Sequence, residues 1–265
     1  MRFRFDVSDY AGRDVRRCNF SGLNGSNNYL SNSRGDVVRR AVKKKSNPVL
    51  RKVRLETNIQ PLQDRARTSY DAILRAAGEL LLEVGIERLS TNLVCKRAGL
   101  SPPALYRYFP NKYALLRELG AQLMRAQDKV VFRWQDNRRV AWPPTVSGMA
   151  EARLQILREI NRVTKHFPGG GWVMRALRAV PTLSAVRIES REMVAERDFN
   201  ALVERFPNVD KRKLRIAATL CVEAMYAALE LVADQPELDG DLVLREIAYM
   251  TSLYVDSFAR RTSKK

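Results

Sequence analysis

From Thr68 onward, Tyr70, Ile73, Leu74, Ala77, Leu80, Leu81 and Val84 recur at spacings of three and four. This pattern predicts an amphipathic helix of about four turns. Gly85 ends it, as glycine does where a helix must turn left-handed. Ser90 or Thr91 can cap a second helix that reaches Ala98, with Leu93, Val94 and Arg97 on neighbouring faces. Gly99 supplies a permissive turn. Ser101 then heads a third helix with Pro102 and Pro103 in its first turn, where amides have no intrahelical acceptor. Leu105 and Phe109, four apart, form its buried stripe, and Pro110-Asn111 breaks the chain before a fourth helix from Lys112 to about Gln127.

The remainder also reads as helix. Trp142-Pro-Pro separates a connecting segment from a helix spanning Gly148 to His166, and Pro168-Gly-Gly-Gly is a loop. A short helix over Trp172–Ala179 follows, then longer ones over Thr182–Phe206, Lys211–Asp234 and Asp241–Arg260. No alternating strand pattern and no internal repeat emerge, so the expected fold class is all-α. Residues 1–60 lack sustained periodicity and hold turn-formers such as Ser21-Gly-Leu-Asn-Gly-Ser, so 1–64 is expected to be a disordered basic tail.

Charge narrows the partners. The chain of 265 residues carries a net charge of +18. Residues 1–65 hold 15 Lys and Arg against 6 Asp and Glu, half of the whole excess. Such a balance favours a polyanion, nucleic acid or an acidic surface. Cys18, Cys95 and Cys221 lie far apart, and form neither a disulfide framework nor a metal motif. No apolar run suggests a membrane span, and Met1-Arg-Phe-Arg-Phe-Asp has no secretory apolar core. The expected location is cytoplasmic and nucleoid-associated, with no membrane partner. A single histidine, and no Gly-rich phosphate loop, His-Glu-x-x-His or Gly-x-Ser-x-Gly, give no support to an enzyme, a metal site or a cofactor.

Two short helices around a glycine turn, Ser90 to Phe109, cannot bury a core alone; they suit a unit that holds a helix out from a larger body, as a helix-turn-helix DNA reader does. On the third helix Pro103, Tyr106 and Arg107 share one face, while Leu105 and Phe109 face away. Arg107 can pair with a guanine edge or hold a phosphate, and Pro103 and Ala104 can touch a thymine methyl. Thr91 and Lys112 stand at helix N-termini, where amides and a cation suit a phosphate oxygen. Asn92, Ser101, Pro102 and Tyr108 complete the candidate set. Arg65 and Arg67 can reach an adjacent minor groove. The plainer alternatives are that Tyr106 and Tyr108 are partly buried aromatics and Lys112 a solvated lysine.

The ordered set from Arg65 to Gln127, with Gly85, Leu89-Ser-Thr, Ala98-Gly-Leu-Ser, Leu105-Tyr-Arg-Tyr-Phe and Asn111-Lys112, resembles the N-terminal domain of TetR-family transcriptional regulators. The resemblance implies a three-helix DNA-binding domain with its connecting helix over 65–127, and a helical ligand-binding and dimerisation domain over 128–265. It also implies a phosphate-contacting role for Tyr106. Cys95 and the Pro102-Pro103 pair depart from the family's usual residues.

One such unit reads few base pairs, so a homodimer on a palindromic operator is expected. The last two long helices are the expected interface, through Ala217, Leu220, Ala224, Ala228 and Leu231 on one and Ile247, Met250, Tyr254 and Phe258 on the other. Trp134, Phe167, Trp172, Met174, Met193 and Tyr226 are candidates to line a pocket for a small-molecule effector. The function expected is a repressor released from its operator by that inducer. The alternative is a nonspecific nucleic-acid-coating protein driven by the basic tail.

Overall fold

The structure, a computed structural model, describes residues 53–58, 64–136, 143 and 145–262, with the side chains of 64–66, 261 and 262 outside that description. The described elements are helical: α1 (Asp64–Arg88), α2 (Thr91–Ala98), α3 (Pro102–Tyr106), α4 (Lys112–Asp136), α5 (Val146–His166), α6 (Gly170–Ala179), a single 3-10 turn (Pro181–Leu183), α7 (Ser184–Arg205), α8 (Lys211–Asp234) and α9 (Gly240–Thr262). No strand occurs among the described residues, so the fold is all-α.

The first three helices follow their sequence signals closely. Gly85, at φ 69° and ψ −179°, interrupts α1 and leaves one further turn to Arg88. The Ser90 side chain accepts from the Leu93 amide, and Gly99 closes α2 in the left-handed conformation at φ 66°. The buried face of α1, including Ile73, Ala77 and Leu81, meets Val94 of α2 and Leu105 and Phe109, all wholly enclosed. Each of these larger side chains, Ala77 apart, contributes roughly 1.5–3 kcal/mol by leaving water.

Two boundaries differ from expectation. The fourth helix does not stop near Gln127 but runs on to Asp136, because Val130, Val131 and Phe132 continue its apolar side into a second core. Residues 127 and 128 are therefore the middle of a helix, not a seam. The tail boundary also shifts: residues 53–58 lie against the head, with Leu55 packed on its core. Those residues belong to the expected tail of 1–64, of which 1–52 and 59–63 fall outside the description. Trp142 falls outside it too.

α6 extends the head core into the second domain. Val173, Met174 and Leu177 pack with α1 and α4. The approach is tight enough to require glycine. A Cβ on Gly78 of α1 would lie 2.6 Å from the Pro168 carbonyl oxygen, and one on Gly169 would lie 2.5 Å from the Gly78 carbonyl oxygen. Gly169 also has φ 69°.

α8 carries apolar residues on two sides. One 18-residue window has a mean hydropathy of 1.7, long and apolar enough to span a membrane by length and composition alone. Leu214, Ala218, Val222 and Leu229 explain half of that apolarity, since they are buried against the neighbouring helices. Leu220 and Leu231 lie exposed on the other side.

An acid sits inside the second domain. Asp128 of α4 is buried and accepts a 2.8 Å hydrogen bond from Ser190 Oγ of α7. Burial pushes its carboxyl up to about 6, and the Ser190 hydrogen bond pulls partly the other way. An unfolded aspartate titrates near 4, so the folded chain holds the extra proton between about pH 4 and about pH 6. Stability therefore falls as pH rises through that window. Asp128→Asn keeps an acceptor for Ser190 and should raise stability by about 1–2 kcal/mol near neutral pH, a gain that disappears below about pH 4. Urea unfolding of both proteins at the two pH values checks this; an equal gain at both contradicts it.

Candidate nucleic-acid interface

α3 has five residues, too few to stand on its own hydrogen bonds, so its placement is set by what surrounds it. Its floor is aromatic. Tyr70 of α1 stacks on Phe109 at 5.0 Å and meets Tyr108 edge-on at 5.7 Å, an arrangement that favours both contacts. Burial pushes the Tyr70 hydroxyl well above its ordinary range, with the nearby Glu118 carboxylate adding to it, so the ring stays neutral.

Both ends of α3 are unusual. Ser101 stands at the N-cap, but its side chain makes no capping bond. The reason is local: Pro102 and Pro103 have no amide hydrogen, and the Ala104 amide is already taken by the Ser101 carbonyl at 3.0 Å. The Ser101 hydroxyl is left exposed beside both prolines. At the C-terminal end no glycine turns the chain; Arg107 continues with helical angles. The orphan carbonyls are met from upstream instead. Asn58 donates its side-chain amide to the Tyr106 carbonyl at 2.8 Å and its backbone amide to the Tyr108 carbonyl at 2.7 Å. Asn111 completes the strap by donating to the Arg54 carbonyl at 2.7 Å, while its Oδ1 caps α4 through the amides of Tyr113 and Ala114.

The outward face then follows. Tyr106 is 45% exposed, and its hydroxyl lies 3.0 Å from Thr91 Oγ1 at the start of α2. Of two hydroxyls hydrogen-bonded to each other at a helix N-terminus, one keeps its hydrogen free to donate to a phosphate oxygen. Arg107, Asn92, Pro102 and Pro103 are exposed, while Ala104 and Thr91 are half-buried. Tyr108 is the exception among the ten candidates. At 4% exposure its ring belongs to the core, three residues after Leu105 on the same side, and the Arg107 guanidinium lies 5.9 Å above it. Lys112 is half-buried and donates to the carbonyls of Ile86 and Glu87 at 3.5 and 3.4 Å, which leaves one ammonium hydrogen for a phosphate. Arg97 fastens α2 to α1 with a two-pronged contact to Glu83 at 2.9 and 2.6 Å, which holds the Glu83 carboxyl below its usual range. Arg67 is exposed at the start of α1; the Arg65 side chain is among those not described.

Sequence reasoning missed Asn58 and Arg54, because a lone asparagine in an aperiodic stretch carries no signal of what it will cap. The six pocket candidates divide. Trp134 and Tyr226 line a cavity of about 40 Å³ between α4, α5, α7 and α8. Phe167, Trp172 and Met174 do not: α6 turns its apolar face to the head, and Trp172 packs beside Gly85 under the Arg175 guanidinium. Met193 is 50% exposed on α7. The cavity also takes in Gln135, Arg153 and Asp198, polar residues inside apolar stripes that a composition reading assigns to solvent.

Residues 73–119 match the model of the bacterial regulatory proteins of the tetR family. Over 54 residues the chain is 44% identical to the tetracycline repressor protein class C of Escherichia coli, a match covering 20% of this chain and 25% of that protein. The chain thus spans about a quarter of the length of the curated relatives it matches first. The fold is similar over a longer stretch to a solved tetR-family transcriptional regulator from Streptomyces coelicolor, with a TM-score of 0.51 at 17% identity over 74% of this chain and 88% of that one. A solved SmeT–triclosan complex gives a TM-score of 0.50 at 18% identity, covering 69% and 89%.

Asn58→Ala removes a side-chain cap from the reading helix. It should lower stability by about 1 kcal/mol and weaken DNA binding several-fold, since α3 loses an anchor outside its own sequence. Chemical unfolding together with DNA titration checks both effects; unchanged values would show the strap to be passive.

Proposed function

We propose that this chain, which carries a TetR-family DNA-binding domain, acts as a homodimeric repressor that binds a palindromic operator and leaves it when a small effector fills the second domain. The observation that carries the reading is the outward face of α3. Leu105 and Phe109 are wholly enclosed, and this leaves Tyr106, Arg107 and the proline pair facing solvent beside Thr91. Such a face suits a major groove, with hydroxyls and Lys112 on flanking phosphates and Arg107 nearest the bases. The relative of matching head sequence is named a tetracycline repressor, and one solved protein of similar fold is a complex with triclosan, which supports repression and a small-molecule effector as parts of this reading.

Dimer formation gains support from an open apolar groove between α8 and α9, lined by Ala224, Ala227, Leu231, Leu242, Ile247 and Met250. Met250 is 57% exposed at its rim. A second copy is the occupant that a palindrome requires, and self-complementary pairing of two such helices builds a four-helix bundle. Two members of the expected stripes stand elsewhere: Ala217 and Phe258 are buried within the monomer core, so the interface stripe begins further along each helix. The effector needs to prefer only one arrangement of the two heads. A preference of about 2–3 kcal/mol loosens DNA roughly 30–150-fold.

Footprinting on the surrounding genome tests the reading. A short palindrome with half-sites roughly 34–36 Å apart, or a multiple, should be protected. Arg107→Ala should weaken that site by about 1–3 kcal/mol. Equal affinity for operator and random DNA in moderate salt would instead favour the nonspecific alternative that the net charge of +18 supports. Met250→Glu places a carboxylate in the apolar groove and should convert dimer to monomer in sedimentation, with operator affinity falling at least about tenfold. A Met250→Glu chain that stays dimeric would move the interface elsewhere.

A further inference from the structure

We infer that the effector is an amphipathic monocarboxylate, an apolar body whose carboxylate pairs with Arg153. This rests on the effector-binding reading above and adds to it the chemistry of the ligand. Most of the cavity wall is aliphatic: Val131, Ile156, Leu157, Ile160, Val194 and Leu229. Arg153 of α5 is part of that wall and is only 6% exposed. Its hydrogen bond to Ser252 Oγ is long, at 3.5 Å, its other side-chain hydrogen bond is to the weakly polar thiol of Cys221, and among the described residues no carboxylate forms an ion pair with it. Arg191, the other deeply buried arginine, shows what the fold does elsewhere: it is met by both Glu223 and Glu230. A guanidinium withdrawn from water without a countercharge is costly, and its planar fork matches a carboxylate in two parallel hydrogen bonds.

The surroundings favour an anion over a cation. Burial holds the Arg205 guanidinium below its ordinary range, and Arg153 adds to this as a like charge while Asp256 opposes it. A carboxylate beside Arg153 relieves that repulsion. Asp198, the acid on the cavity wall, already receives the Gln135 amide at 2.8 Å. It discourages a second negative charge, so a single carboxylate fits better than a diacid. With only about 40 Å³ open, the cavity takes an apolar body only if its walls move, and those walls include α4 and α8.

The test is a calorimetric titration of the full chain with phenylpropanoate, phenylpropanol and phenylpropylamine, which share one body and differ in the end group. The acid should bind at least about tenfold tighter than the alcohol. Arg153→Met should abolish that ratio and leave alcohol binding within about threefold, with operator binding in the absence of ligand reporting that the variant is folded. Should Arg153→Met fail to fold, the ranking of the three compounds on the unaltered chain decides alone. Amine binding tightest, or all three binding equally, overturns the carboxylate assignment and leaves the effector site standing. Binding of none at millimolar concentration overturns the effector site and this inference with it.

Discussion

The structure depends on how a helix of five residues is kept in place. α3 is far below the length at which a helix persists in water, and two of its five positions cannot donate a hydrogen bond. Everything that defines its orientation is tertiary: Leu105 and Phe109 below it, the Tyr70 and Tyr108 rings behind it, Asn58 at its last carbonyls and Thr91 beside Tyr106. A reading face held this way is rigid only while the α1–α4 core is intact. In the proposed function, DNA affinity and head stability would therefore be two measurements of the same packing.

That core is not confined to the head. α6 contributes Val173, Met174 and Leu177 to it, and the Gly78–Gly169 approach leaves no slack between α1 and the turn before α6. α6 is tied in turn to α8, because Arg175 and Arg178 pair with Asp234, and Arg178 also reaches Glu230. Glu230 is itself held by the buried Arg191 of α7, so the charges form one network across α6, α7 and α8, in which most members have two partners. α4 supplies a second route, since one helix is packed in the head at Leu115 and lines the cavity at Val131. A displacement at the cavity wall has two stiff connections to the reading head, and close-packed cores pass such displacements on instead of absorbing them.

Helix order and most helix bounds were legible in the sequence because the periodicity was strong and the punctuation conventional: Gly85, Ser90, Gly99 and Pro207 fall where helices break or begin. Which face of α3 turns outward was legible for the same reason, as Leu105 and Phe109 at spacing four fix its buried side. Three things were not. Tyr108 reads as part of an exposed Tyr-Arg-Tyr run, and only the position of Tyr70 draws it inward. The Asn58 strap depends on a contact across 48 residues, which no local pattern encodes. Arg153 lies in the stripe Met149, Leu157, Ile160, where an arginine reads as a boundary of the apolar face, yet the helices around it close over it.

The exposed side of α8 gives the last step. In the proposed dimer its Leu220, Ala224 and Leu231 side meets the second copy, while its Val222, Tyr226 and Leu229 side walls the cavity. The interface and the effector would then occupy opposite faces of one rigid helix, about 10 Å apart. A body that pushes α8 outward must move the partner, because a helix cannot thin to accommodate it. In that proposed arrangement packing would set the direction of the effect: filling the cavity would change the angle at which two copies meet, and with it the separation of the two α3 helices.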